Sequence, residues 1–414
     1  MNVSTQNKTD VLIVGAGLAG LSAAVTLQKA GLEVRVVEGS SEVGGRVKST
    51  RRNGYVLDHG FQVFNPAYKN AKTILDYAQL HLRPFSPGVK IVSETGSSIL
   101  GNPLLDPSFG LAILKEPKNL IDLTKFGLYC ASVLDSTKMN ILDTDSKTAL
   151  LQAHISEEFI TKKLQPFLSG VFLEGELKTS RRFLDFVLQY FLKGTPTLPA
   201  NGMGSISEHL AGQLAADSLL LSTWVHSITG TSVLTDAGTL NADHLIIATD
   251  QDTSAAWLGT QARGWRSVTT WYHSTDIARE HLAGGKPLLH VDSDKRGPLI
   301  NTVPLSHAAA SYAPSGKHLI SSSTLDLNTS NAREYEVRAH LAHIYGVDTS
   351  NFQVIDVFPI EKALPVSQVP FNPLSDIEVR PNVYVAGDTF TTPSIDGAIQ
   401  SGQKVAGAII AKTR

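Results

Sequence analysis

Residues 11–38, VLIVGAGLAGLSAAVTLQKAGLEVRVVE, constrain this chain more than any other stretch, because they specify a turn that side chains other than glycine would block. Val11 to Val14 is a short β-branched run that reads as a buried parallel strand, and Leu18 to Ala30 reads as the helix after it. Gly15, Gly17 and Gly20 between them form G-x-G-x-x-G, with Ala19 inside the motif. Gly15 permits the tight turn, Gly17 lets backbone approach a pyrophosphate, and Gly20 lets the helix lie close on the sheet. The phosphates then sit at a helix N-terminus. Val34 to Val37 reads as the second strand and ends on Glu38. That acid stands near the roughly 20-residue spacing at which a carboxylate accepts ribose hydroxyls and repels a 2′-phosphate. Gly39 follows it. Gly44, Gly45 and Arg46 come shortly after, where paired glycines let backbone pass a ligand and an arginine can pair with pyrophosphate. A dinucleotide-binding βαβ start is the expectation.

At 414 residues the chain exceeds the size at which one core keeps growing, so two domains are expected. A net charge of -2 supplies no field that favours nucleic acid or an anionic surface. The single Cys130 excludes an internal disulfide framework and a Cys-x-x-Cys redox centre, so redox chemistry would have to come from a cofactor. The thirteen histidines show no metal-ligand spacing, His340 and His343 reading as a solvated helix face, and no metal is expected. The leader MNVSTQNKTD is polar and no run is long enough for a transmembrane helix, which makes the cytoplasm the expected location.

After the second strand, Gly54 to Phe64 reads as extended, and from Tyr68 to about Gly194 the pattern is largely helical. Leu120 to Leu134 is one helix there, and Glu157 to Gln165 another, with Ser156 as N-cap and Pro166 as its stop. Thr195 to Gly204 is rich in breakers and is followed by a helix from Ser205 to Ala216. Strand patterns follow at Leu219 to Val225, Ser232 to Thr235 and His244 to Ala248. A second excursion holds β-branched and aromatic runs at Trp265 to Tyr272, Pro298 to Pro304 and His318 to Leu325, with a helix over Asn331 to Tyr345. The chain returns as VYVAGD, Val383 to Asp388, and closes on a helix from about Gly397 to Ala411. The resulting expectation is a discontinuous first domain over 1–66, 196–251 and 378–414, and a second over 67–195 and 252–377.

Several ordered blocks resemble the FAD-dependent amine oxidase, phytoene desaturase and protoporphyrinogen oxidase superfamily. They are the N-terminal GAGLAGL…E…GGR, Asp58 and Gly60, Pro199 to Gly204, the surroundings of Trp224 to Ile228, and the C-terminal Gly387, Asp388, Gly397, Ala398, Ser401 and Gly402. The resemblance implies an α/β fold, with a discontinuous Rossmann-like FAD-binding domain and a mixed helical and antiparallel-sheet substrate domain. It implies that Glu38 holds the adenosine ribose, that Arg46 lies by the pyrophosphate or flavin, and that Val225 meets the adenine through its backbone. It further implies that Gly60, Phe61 and Gln62 pass beside the isoalloxazine, and that Asp388, after Gly387, binds ribityl or phosphate oxygens. The helix opening at Gly397, Ala398 and Ile399 would aim its positive end at the flavin. Asp396 is the candidate acid or base of the site, with a helix N-cap as its alternative role.

Departures from the family's amine-oxidising members shape the functional expectation. Trp265 to Asp276 has no lysine and Pro393 to Asp396 no aromatic, where such relatives commonly keep both. Cys130 lies far from the C-terminal block, so FAD is expected to be noncovalent. The expectation is an FAD-dependent oxidoreductase removing a hydride from an apolar small-molecule substrate, desaturase-like or dehydrogenase-like. The alternatives are an amine or amino-acid oxidase producing hydrogen peroxide, with Arg181 or Arg182 as carboxylate anchor, a redox-neutral flavin-dependent isomerase, and a non-enzymatic escort protein. Leu111 to Leu134, rich in Leu, Ile, Phe and Tyr with interspersed lysines, reads either as a helix packed on its own domain or as a peripheral membrane contact. No nucleic-acid partner is expected.

Overall fold

Strand Lys8–Val14 lies at the centre of an eight-stranded sheet, between Val34–Val37 and Gly238–Ile247, both parallel to it. This computed structural model describes residues 8–102, 105–106, 119–134, 142–372 and 376–413. Val11, Leu12 and Ile13 are fully buried, as are Leu245, Ile246 and Ile247, which is why the paired C-terminal halves of these strands are continuous apolar runs. Val383–Val385 pairs parallel to the end of Gly238–Ile247, so the C-terminal return completes the sheet begun at the N-terminus. Leu219–Leu220, Val225–Thr229, Ser232–Thr235 and Glu378–Arg380 fill out its edges. The helix Leu18–Lys29 packs against the last helix, Ile395–Thr413, at backbone contact. A Cβ on Gly402 would stand 2.1 Å from the Ala19 carbonyl oxygen, so glycine there is a packing requirement.

The second sheet has seven strands in the order Gln353–Pro365, Trp265–Thr275, His318–Thr324, Leu299–Pro304, Leu289–Asp292, Gly88–Ser93 and Gly96–Gly101. It is antiparallel except where Leu289–Asp292 meets Gly88–Ser93. Within residues 68–194, read from the sequence as largely helical, the hairpin Gly88–Gly101 is the part the pattern did not show: Gly88–Ser93 pairs with Leu289–Asp292, and Gly96–Gly101 pairs with Gly88–Ser93. Helices Leu120–Val133, Ser146–Gln152 and Arg181–Lys193 do cover that region. Ser156 caps its helix through Phe159 N–H at 3.2 Å, as expected, but Pro166 does not end it. A π-helical turn over Ile160–Leu164 precedes Pro166, and α-helix continues to Phe172. The wider turn accommodates the residue that has no N–H to donate.

Two sequence blocks meet at buried Asp58. Its carboxylate accepts hydrogen bonds from Ser49 Oγ (2.5 Å), Met203 N–H (2.8 Å) and Tyr312 OH (2.8 Å), tying the Asp-x-Gly segment to the Gly-Met-Gly turn.

His340 is the other correction: it is buried, on the same face as Val337, Leu341 and Ile344. Its Nε2 donates to Asp292 (2.9 Å) and its Nδ1 accepts from Leu299 N–H (3.1 Å), the pattern of a neutral imidazole. Burial alone would raise the Asp292 pKa, but Arg296 and His340 hold it well below the usual carboxylate range; burial lowers that of His340. Both folded-state values lie below the ordinary ones, so the stability they confer is present at neutral pH and lost on acidification. The urea midpoint should fall as pH drops below 6.5 and again below 3.8. Asp292→Asn should cost about 3 kcal/mol at neutral pH and shrink the lower step, to which Asp250 and Glu334, also held low, still contribute. A midpoint independent of pH across this range would contradict the assignment.

Candidate cofactor and substrate site

A cavity of about 1310 Å³ runs from the fingerprint turn to the helices and second sheet. At its first end, the helix Leu18–Lys29 starts on Gly17 with no side chain capping it. The polar ends of its first N–H groups are therefore left for a ligand, and Gly17 has no atom within 4 Å of where a Cβ would stand. Gly20 does the opposite job: a Cβ there would lie 2.0 Å from the Gly15 carbonyl oxygen, so it serves helix-on-turn packing and does not line the cavity.

Glu38, at the end of its strand, lines the cavity beside Gly39. Its Oε2 accepts from Ala16 N–H (2.8 Å), and its Oε1 from Ser40 N–H and Oγ (2.9 and 2.7 Å). Gly44 N–H donates to the Ala16 carbonyl at 2.9 Å, joining the Gly-Gly-Arg loop to the fingerprint. Arg46 makes a bidentate pair with Asp388, Nη1 to Oδ2 at 2.9 Å and Nη2 to Oδ1 at 2.6 Å, with its guanidinium over the Trp265 ring at 5.2 Å. Burial alone would lower the Arg46 pKa; Asp388 raises it above its ordinary value. The two ends of the chain thus meet through one ion pair.

Gly15, Ala19, Gly45, Gly60, Phe61, Gln62, Val225, Gly387 and Ala398 also line this part of the cavity. Gln62 Nε2 donates to the carbonyls of Arg46 (2.9 Å) and His59 (3.3 Å), which fixes the loop Gly60–Gln62 against the arginine. Gly397 and Ile399 lie beside the cavity, outside its lining; buried Ile399 offers its carbonyl to Ser22 Oγ. A dinucleotide fits this donor set: free helix N–H groups for a diphosphate, an acid at the strand end for ribose, and an arginine paired with Asp388 in the same lining.

Asp396 is neither in the lining nor an N-cap. The helix begins at Ile395, and Ser394 caps it, its Oγ accepting from Gly397 N–H at 2.9 Å. Asp396, in the first turn and buried, accepts from Asn70 N–H, Asn70 Nδ2 and Ala71 N–H, each at 2.9 Å, and from Tyr190 OH at 3.3 Å. Its carboxylate is taken up by that loop and by Tyr190. Arg181 and Arg182 also stay out of the lining, Arg181 on Asp185 and Arg182 on the Phe371 carbonyl and Asn372. Lys362, which the sequence reading missed, lines the cavity from Gln353–Pro365 and pairs with Asp252 at 2.6 Å and Asp250 at 3.4 Å. Nothing in the polar-apolar pattern of that strand singled it out. Among the described residues no cluster of three His, Cys, Asp or Glu side chains is placed to hold a metal.

Residues 18–410 match the family model for flavin-containing amine oxidoreductases. The chain belongs to that family. Its members are FAD-dependent oxidoreductases, and the cofactor of the family, FAD, is the dinucleotide that the first end of the cavity fits. Relatives include coproporphyrinogen III oxidase of Bacillus subtilis (strain 168), 26% identical over 41% of this chain and 37% of that protein. Protoporphyrinogen oxidase 2 of Arabidopsis thaliana is 27% identical over 39% of this chain and 32% of its own. These alignments span about a third of the relatives' lengths. In fold the chain is similar to a putative protoporphyrinogen oxidase from Exiguobacterium (TM-score 0.74, 16% identity, 99% of both chains). It is also similar to putrescine oxidase bound to putrescine (TM-score 0.70, 17% identity, 98% of this chain and 99% of that one).

Asp396→Ala should cost about 2–3 kcal/mol by leaving two backbone donors and Asn70 unpaired in the interior. It should still retain flavin, read as visible absorbance of the purified protein. Loss of flavin at unchanged thermal stability would return Asp396 to the site.

Proposed function

We propose that this flavoprotein is an oxidoreductase that removes a hydride from a predominantly apolar substrate, in a desaturation or dehydrogenation. The observation that carries this reading is the far part of the cavity, walled by Leu123, Phe126, Leu168, Phe186, Phe191 and Phe358. Among the described lining residues, Asp, Glu, Lys and Arg are confined to Glu38, Arg46, Asp250, Glu361, Lys362 and Asp388. An ammonium or carboxylate would meet no counter-charge in that chamber, and its desolvation would go uncompensated. A hydrocarbon body gains from the same walls.

In this reading Glu38 holds the adenosine ribose, Arg46 lies by the pyrophosphate or flavin and Asp388 binds ribityl or phosphate oxygens, within the division 1–66, 196–251 and 378–414 against 67–195 and 252–377. FAD is held noncovalently, because Cys130 lies on Leu120–Val133 in the apolar part. Bound there, FAD supplies two-electron acceptance and passes the electrons on to an acceptor. The chain's own contribution is orientation and water exclusion. The first turn of Ile395–Thr413 directs its partial positive charge toward negative charge gathering at the site. The amino-acid oxidase alternative loses its anchor, since Arg181 and Arg182 are engaged elsewhere.

The helix Leu120–Val133 also supports peripheral membrane contact. Ile121 and Leu128, seven residues apart on one face, are 70% and 68% exposed, while Leu123, Phe126 and Cys130 of the same helix line the cavity. Residues 111–118 of the apolar segment noted in the sequence lie outside the described ones. No helix of the described residues is long and apolar enough to cross a membrane.

Glu38→Arg should yield a colourless protein, by charge against ribose binding. Anaerobic titration of the wild type with a polyene, a quinol, putrescine and benzylamine should bleach the flavin with an apolar compound and not with the amines. Bleaching by an amine alone would overturn the proposal. Ile121→Glu with Leu128→Glu should reduce sedimentation with phosphatidylcholine vesicles several-fold, and unchanged sedimentation would remove the membrane contact.

A further inference from the structure

Among the carboxamides of the described lining residues, that of Asn301 has a buried oxygen without a partner. Asn301 sits on the strand Leu299–Pro304, where alternation turns Asn301 and Val303 toward the cavity and Thr302 toward the Ser322 hydroxyl and Tyr345 on the opposite face. An apolar residue would serve the chamber wall at this position, yet Asn301 is only 4% exposed and its Oδ1 is buried without a hydrogen-bond partner. Burying an amide unsatisfied is costly, and native structures seldom keep such a group unless something else completes it.

The facing helix makes room for it. A Cβ on Gly170 would stand 2.5 Å from Asn301 Nδ2, so a glycine in Gln165–Phe172 is what admits the carboxamide. Gly170 and Ser323, the residue paired with Asn301 on the neighbouring strand, line the same cavity. Around them stand Leu168, Val171, Val303 and Leu289, with no ionisable side chain among them.

We propose that Asn301 determines specificity by hydrogen-bonding one neutral polar group, a carbonyl or hydroxyl, on an otherwise hydrocarbon substrate. This deepens the apolar-substrate reading and rests on it. A carboxamide offers both a donor and an acceptor, so it serves a ketone through N–H and an alcohol through either end. A charged group is excluded because no counter-ion faces the position.

The test is equilibrium binding to the flavin-loaded wild type and variants, followed by flavin absorbance change and by calorimetry, with 2-octanone, 1-octanol and n-octane as probes. After correction for water-to-hydrocarbon partition, the wild type should prefer the ketone and the alcohol over the alkane by about tenfold. Asn301→Leu should erase that preference while keeping n-octane binding. Asn301→Asp, kept protonated by a chamber without counter-charge, retains one O–H donor and one carbonyl acceptor and should keep the preference for both 2-octanone and 1-octanol. Gly170→Ala should weaken the preference by crowding the carboxamide, and serves as the second variant should Asn301→Leu fail to retain flavin. A preference as strong in Asn301→Leu as in the wild type overturns the role of Asn301 and leaves the apolar chamber standing. Failure of all three probes to bind the wild type overturns the chamber reading and this inference together.

Discussion

Backbone contact at the fingerprint turn is the constraint on which the rest of the structure depends. Gly20 lets the helix Leu18–Lys29 sit on the Gly15 carbonyl, and Gly402 lets Ile395–Thr413 sit on the Ala19 carbonyl, so two helices and two distant ends of the chain share one close-packed seam. Neither approach survives a methyl group, because the obstructing atoms are backbone and cannot rotate away. Once the seam is fixed, the first N–H groups of Leu18–Lys29, the acid at the end of Val34–Val37 and the Arg46–Asp388 pair fall around one end of the cavity.

The cavity joins two environments that make opposite demands. Its first end holds Glu38, which accepts from Ala16 and Ser40, and Arg46 paired with Asp388. Its far end is built from aromatic and aliphatic side chains of the helical region, floored by the second sheet. A flavin spanning the two would present its reactive edge to a low-dielectric chamber, where a hydride acceptor is protected from water. Asn301 carries a buried carboxamide oxygen without a partner in that region, which is why it bears on what kind of molecule enters.

The features legible in the sequence are those where one residue type is compulsory. Gly15 and Gly20 declare themselves because backbone leaves no room for a Cβ there, and with Gly17, Glu38 and Arg46 their order alone implied the βαβ start seen in the first sheet. Strands such as Trp265–Thr275 and helix Asn331–Tyr345 were visible through branched, aromatic or capped patterns. The hairpin Gly88–Gly101 was not, since partners nearly 200 residues away decide its pairing. Asp396 looked like a reacting group from its place before Gly397, but the loop at Asn70 and Ala71 that consumes it is more than 300 residues distant. His340 did leave a signal: it stands in the stripe Val337, Leu341, Ile344, and a polar residue in an apolar stripe implies a buried partner, here Asp292.

The central claim is that one continuous cavity places a flavin's reactive edge against an apolar substrate chamber. A crystal structure of the FAD-loaded protein with a bound hydrocarbon ligand tests it most directly. The account predicts the diphosphate at the start of Leu18–Lys29, the isoalloxazine beside Gly60–Gln62, and the ligand between Phe358 and the helix Leu120–Val133. An isoalloxazine turned to solvent, or a hydrocarbon bound anywhere but this chamber, would contradict it.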